Sequence, residues 1–186
     1  MPPEWAARLA APIDAPRFVL EPLGGGHAQA FFGPMQDERL YQWISLERPA
    51  SVEALRQQWQ RIENRLSPDG RFAWPTWAVR RRADGEYLGR VDAEVSPQGE
   101  ATFGYYIFAA HWGQGIASEA VRASSDALIA RGVHRLVATV TAGHIASVRV
   151  LLKAGFERSR LLPRNELIHG EWVDDEEYVR CARPAG

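Results

Sequence analysis

A mixed α/β fold, with a mostly antiparallel sheet and helices laid on it, is predicted from three features of the sequence. Three strand-like segments fall in quick succession at residues 74–82, 87–95 and 101–108, parted by the turn signals Ala83-Asp84-Gly85-Glu86 and Pro97-Gln98-Gly99-Glu100. Apolar residues recur at helical steps in Val52, Leu55, Trp59, Ile62 and Leu66, and again in Ile116, Ala120, Val121, Leu128 and Ile129. Finally, Leu136-Val137-Ala138-Thr139-Val140 follows the second helical stretch as a strand rich in β-branched residues.

Residues 1–16 contain Pro2, Pro3, Pro12 and Pro16 and read as an N-terminal extension, a short helix and then an extended lead-in. Residues 17–21 form the first strand, ended by Pro22 and the run Gly24-Gly25-Gly26. That run lacks the Gly-Lys-Ser/Thr ending of a phosphate loop and reads as a strand-to-helix turn. Residues 28–66 have a helical pattern, with a start signal at Ser51 and Ala54, and Ser67-Pro68-Asp69-Gly70 turns the chain into the meander. A helix over 115–131 ends at Gly132, the strand 134–141 follows, and a helix over 145–154 stops at Gly155. A short strand at 156–160 precedes a closing hairpin, 166–168 and 171–180, that turns at His169-Gly170.

At 186 residues, with no internal repeat and no linker-like stretch, the chain is expected to be one domain, 1–186. Lys and Arg total 22 against 23 Asp and Glu, so no nucleic-acid partner is expected. No apolar run approaches the roughly 20 residues of a membrane span, and the start lacks a secretory signal, so the expected location is the cytoplasm, away from membranes. A lone cysteine, Cys181, rules out an internal disulfide and is expected to be a packing residue. The five histidines show no ligand spacing with Cys181 or the carboxylates, so no metal is expected.

The segment that carries chemistry runs from Gly104 to Ala120: a strand, then Trp112-Gly113-Gln114-Gly115, then a helix opening on Ile116-Ala117-Ser118. The first turn of a helix leaves backbone N–H groups without partners at its positive end. Gly113 and Gly115 clear side chains from that place, Ala117 is small, and Ser118 adds a hydroxyl. Together they suit a diphosphate. Two glycines before a helix also occur in plain tight turns, and the dinucleotide fingerprint fails for want of its third glycine and its βαβ units.

Gly104-Tyr105-Tyr106-Ile107 followed by Trp112-Gly113-Gln114-Gly115-Ile116-Ala117-Ser118-Glu119-Ala120 resembles the pyrophosphate motif of the GNAT acetyltransferases, most closely the RimJ/RimL-like branch. Ser147 to Glu157 resembles the family's later helix and its Lys-x-Gly-Phe, His169 to Asp174 its last hairpin, and Arg17 to Pro22 its first strand. The resemblance implies a twisted, mostly antiparallel sheet of about seven strands with helices on both faces, splayed between the fourth and fifth. It also implies acetyl-CoA as donor, with its pantetheine between those strands, and direct transfer to a primary amine of a protein N-terminus or a small molecule. A homodimer is a family-level expectation. A non-catalytic acetyl-CoA-binding module is the alternative.

The coenzyme contacts implied are Tyr106, Ile107, Phe108, the turn residues Trp112 to Ser118, His144 and Ser147. The Ile107 and Phe108 amides are candidates to polarise the thioester carbonyl, although both also read as ordinary buried strand residues. His144 stands where the family usually has asparagine, and Leu151 where many relatives carry a tyrosine acid. Ser147 is the substitute acid, or else a helix-terminal serine. Asp92 and Glu94 share one strand face and are candidate bases, but Arg90 shares that face too, which fits an ion-paired surface equally. Trp43, Trp74, Trp77 and Trp172 are apolar enough to line an acceptor pocket or to be core.

Overall fold

A computed structural model describes residues 2–182. Its strands are β1 (Ile13–Asp14), β2 (Phe18–Pro22), β3 (Thr76–Arg81), β4 (Tyr87–Val95), β5 (Glu100–Ile107), β6 (Arg135–Thr141), β7 (Glu157–Ile168) and β8 (Glu171–Cys181). They form one sheet in the order β1-β2-β3-β4-β5-β6-β8-β7. The helices are α1 (Pro3–Leu9), α2 (Ala28–Phe32), α3 (Val52–Gln60), α4 (Ile116–Ala130) and α5 (Ile145–Lys153). The fold is the expected mixed α/β class with helices on both faces. The short β1 makes eight strands and moves the count by one, so the expected splay falls between β5 and β6.

Every neighbouring pair is antiparallel except β5 and β6. Parallel strands need a long crossover, and α4 supplies it. The β5–β6 pairing covers only Glu100↔Arg135, Ala101↔Leu136 and Thr102↔Val137. Beyond Thr102 the two strands part, while β4 pairs with β5 as far as Ile107 and β8 with β6 as far as Thr141. The gap is therefore held open by complete ladders on both sides.

Two apolar clusters sandwich the sheet. One joins Leu9, Phe18, Trp77, Val91, Leu128, Leu151 and Phe156 under α1, α4 and α5. The other joins Leu23, Phe31, Leu55, Trp59, Tyr106 and Phe108 under α2 and α3. Trp77, expected as a pocket candidate, is wholly buried in the first, with its indole N–H bonded to the Ala11 carbonyl. Strand alternation puts it on the face away from α3. Cys181, expected to pack, is exposed at the end of β8.

The helical stretch expected over 28–66 is broken. Gly33-Pro34 stops α2 and starts a short 3-10 turn, since proline cannot donate to the preceding turn. α3 begins where expected, on the Ser51 hydroxyl that accepts from the Ala54 amide. It ends at Gln60, and Arg65 takes a left-handed φ of 61° while Leu66 bridges to Ala73. The glycine run packs against α3: a Cβ at Gly25 would lie 2.7 Å from Gln60, and the Gly25 amide donates to Glu63. The expected strands at 156–160 and 166–168 are one long β7. Its register jumps between Leu162 and Glu166, and the jump absorbs Pro163 on this edge strand.

Candidate active site

The turn before α4 carries the geometry its glycines suggested. Gly113 and Gly115 hold left-handed φ of 77° and 74°. Nothing lies within 4 Å of a Cβ built at Gly113, and only the Arg17 Nη2, at 3.7 Å, near one at Gly115. Gly115 caps α4 without a side-chain bond, so the amides of Ile116, Ala117 and Ser118 open the helix with no intrahelical acceptor. The Glu119 amide is the first to close a helical bond, to the Gly115 carbonyl. Ile116 is buried and anchors the turn to the core, Gln114 is exposed, and Trp112 donates its indole N–H to the Ile107 carbonyl at 2.6 Å.

Sequence reasoning missed Arg17. Its Nε donates to Glu119 at 2.6 Å and its Nη1 to the Gln114 carbonyl at 3.2 Å. The guanidinium thus ties the start of β2 to the turn and adds positive charge beside the open amides. The contact spans 102 residues, and no local pattern could have revealed it.

The gap between β5 and β6 is lined by backbone. Phe108 and Leu88 form a hydrogen-bonded pair, the Phe108 amide donating to the Leu88 carbonyl at 2.8 Å. By the alternation of an antiparallel ladder, the amides of Phe103, Tyr105 and Ile107 then face away from β4, toward β6. Of the two candidate carbonyl donors, Ile107 points into the gap. Phe108 is committed to β4 and is corrected on that point. Tyr106 points the other way, into the second cluster beneath the Arg90 guanidinium, and burial pushes its hydroxyl up to about 12.

Across the gap, His144 stands at the N-cap of α5, and Ser147 lies in the first turn of the helix. The Ser147 Oγ lies 2.7 Å from the Tyr105 hydroxyl, so β5 and α5 meet through two hydroxyl groups. Burial pushes Tyr105 up to about 12 despite its bond to Ser147. Leu151 is wholly buried in the core, so that position offers no acid. The His144 ring stacks on Trp43, centroids 4.9 Å apart and planes 6° from parallel. Burial holds its pKa below the usual value.

That shift has a consequence for stability. Unfolded His144 takes up a proton near about pH 6.5 and the folded form resists it. Its contribution is therefore complete above the unfolded value and is lost as pH falls through the folded one. His144→Asn is expected to flatten the fall in melting temperature between pH 7.5 and 5 and to leave its slope above pH 7.5 unchanged. Thermal melts across that range check it.

Both candidate bases lie on the face of the sheet opposite α4 and α5. Asp92 is committed to Arg90, 3.0 Å from its Nε, the ion-paired arrangement that the shared face also allowed. Glu94 takes the Trp74 indole N–H at 2.8 Å on one oxygen and borders two shallow cavities of about 290 Å³ each. Trp74 lines the first of these cavities, while Trp172 is 55% exposed on β8. Strand alternation puts Asp175 and Glu177 of β8 on this same face, opposite Tyr178. Asp175 is 2% exposed and accepts from Asn165, and its Oδ1 is the buried side-chain atom without a partner among the described residues. His111 pairs with Glu86 at 3.3 Å. Among the described residues no group of three or more His, Cys, Asp or Glu could hold a metal, and no helix is long and apolar enough to cross a membrane.

The sequence matches the family model of the acetyltransferase (GNAT) domain over residues 17–157. The chain belongs to the GNAT acetyltransferases. Two Bacillus subtilis relatives agree. The probable N-acetyltransferase YjcK is 32% identical over 130 residues, 68% of this chain and 70% of that protein. The uncharacterized N-acetyltransferase YoaA is 27% identical over 169 residues, 89% of this chain and 94% of that protein. Among solved structures, the RimL ribosomal L7/L12 α-N-protein acetyltransferase in complex with coenzyme A superposes with a TM-score of 0.81 at 20% identity, covering 91% of this chain and 97% of that one. Mycobacterium smegmatis RimJ, in complex with a CoA disulfide, gives 0.79 at 24% identity, with 92% and 86% covered. These likenesses bear on the fold. As a GNAT acetyltransferase the chain takes its acetyl group from acetyl-CoA. Its residues fit that donor: an uncapped helix start with clear space over two left-handed glycines, beside a gap edged by free strand amides.

Proposed function

We propose that this acetyltransferase moves the acetyl group of acetyl-CoA directly to a primary amine of a protein N-terminus or a small molecule, and that residues 1–186 act as one domain. The observation that carries the reading is the opening between β5 and β6 beside the uncapped start of α4. The diphosphate rests on the backbone from Gly113 to Ser118, with Trp112 closing the turn and Arg17 adding charge. The pantetheine runs between the strands past Tyr106, Ile107 and Phe108, and the Ile107 amide faces the thioester carbonyl. His144 and Ser147 edge the gap from α5.

The amine attacks the carbonyl carbon from the face that carries Asp92, Glu94, Asp175 and Glu177. Of the two expected bases Glu94 is the less committed, because Arg90 already engages Asp92. Ser147 donates toward the leaving sulfur. Of the four carboxylates on that face, Asp92 is paired with Arg90 and Glu177 with Arg160, which leaves Glu94 and Asp175 to favour a cationic amine, and RimL is by its description an α-N-protein acetyltransferase. We therefore place peptides with a free N-terminus first among acceptors. A cytoplasmic location and a homodimer, with no nucleic-acid or membrane partner, complete the reading.

Thiol release from acetyl-CoA, measured over a panel of peptides with free N-termini, free amino acids, polyamines and aminoglycosides, tests it. At least one amine should raise release well above the amine-free rate. Coenzyme binding with no release under any amine would leave only the binding module.

A further inference from the structure

We propose that Tyr105 is a positioning residue for acetyl transfer, its hydroxyl donating to the Ser147 Oγ so that the serine's own hydrogen is turned to the sulfur of the coenzyme. The proposal rests on the reading of the gap between β5 and β6 as the thioester site.

Four observations carry it. The Tyr105 hydroxyl is 2.7 Å from the Ser147 Oγ and 3.4 Å from the Ser147 carbonyl, so it lies against the first turn of α5. Tyr105 belongs to the stretch of β5 that has lost its pairing with β6, and its side chain bridges the gap at that place. Leu151, one turn further along α5, is apolar and wholly buried, so no acid stands there. Either hydroxyl of the pair could donate, but the two roles differ in consequence. With Tyr105 as donor, the serine oxygen is satisfied as an acceptor and its hydrogen is left for a ligand. Burial pushes the Tyr105 hydroxyl up to about 12, so it stays protonated and keeps donating throughout the neutral range.

The step balances without a proton from either residue. The nitrogen lone pair forms the C–N bond, and the C–S electron pair leaves on sulfur. The proton shed by nitrogen is the one the free thiol finally carries. Ser147 hydrogen-bonds to the sulfur as charge builds there, and Tyr105 strengthens and aims that bond, since hydrogen bonds in a chain polarise one another. An aromatic ring at position 105 packs against the core equally well without its hydroxyl.

Tyr105→Phe, Ser147→Ala and the double variant test the proposal in the whole protein. Tyr105→Phe is expected to lower kcat about tenfold and Ser147→Ala about a hundredfold, each with the KM for acetyl-CoA within about twofold, as for a hydrogen bond to a developing charge. In the Ser147→Ala background the tyrosine change should be silent. A second readout needs no turnover: the ultraviolet titration of the thiol of bound coenzyme A. The thiol should titrate lower when bound than when free, and Tyr105→Phe should return it part of the way. A Tyr105→Phe enzyme with wild-type kcat and thiol titration, or losses that multiply in the double variant, would overturn the proposal and leave the acetyltransferase reading standing. Wild-type protein that releases no thiol with any amine would overturn both.

Discussion

Gly115→Glu is expected to weaken acetyl-CoA binding by more than about a hundredfold, a loss of roughly 3 kcal/mol or more. Two effects act together. The residue caps α4 at a φ of 74°, where a side chain costs about 1–2 kcal/mol. A carboxylate there also faces the helix start that is read as the diphosphate seat, so an anion meets an anion where the backbone offered N–H donors. The fold itself should survive, because the only atom near an added Cβ is the Arg17 Nη2, at 3.7 Å. Gly115→Asn relieves both effects, since asparagine tolerates the left-handed region and adds no charge. It should keep most of the binding. Titration calorimetry with acetyl-CoA, beside a thermal melt, reads affinity and folding separately.

Gly89→Ala is expected to destabilise the fold by about 4 kcal/mol, combining backbone strain with overpacking. Gly89 has a φ of 156°, and a Cβ built on it would fall 2.2 Å from the Tyr106 carbonyl oxygen and 2.8 Å from the Ile107 Cα. Those are backbone atoms of the neighbouring strand, so β5 must shift for the methyl to fit. The shift lands on Ile107, whose amide edges the gap, and the rate of acetyl transfer should fall with stability. Chemical denaturation measures the first and thiol release the second. A variant within about 1 kcal/mol of the wild type would mean that β4 and β5 pair in another register.

Legibility in the sequence followed how local the cause was. The turn at Gly113 and Gly115 was readable because the left-handed backbone there favours glycine, and the helix after it shows its apolar face at steps of three and four. The β4 boundaries, Tyr87–Val95, were readable because turn signals stand at both ends. The stretch before α3 was misread because an apolar pattern continues across Gly33 and Pro34, which break the helix without breaking the pattern. β7 reads as two pieces in the sequence, with Pro163 between them, and the register jump that carries an edge strand past the proline shows only in three dimensions. The Tyr105–Ser147 contact spans 42 residues. The motif named Tyr105 as part of a strand and Ser147 as part of a helix, and only the fold brings them to 2.7 Å. The same holds for Phe108: the sequence made its amide a candidate, and the phase of the β4–β5 ladder turned it away.

A crystal structure with acetyl-CoA bound is the most direct test. The diphosphate should accept from the amides between Gly113 and Ser118, and the pantetheine should run between β5 and β6 with its thioester oxygen at the Ile107 amide. Coenzyme bound anywhere else on the chain, or a gap left empty at saturating acetyl-CoA, would contradict the account.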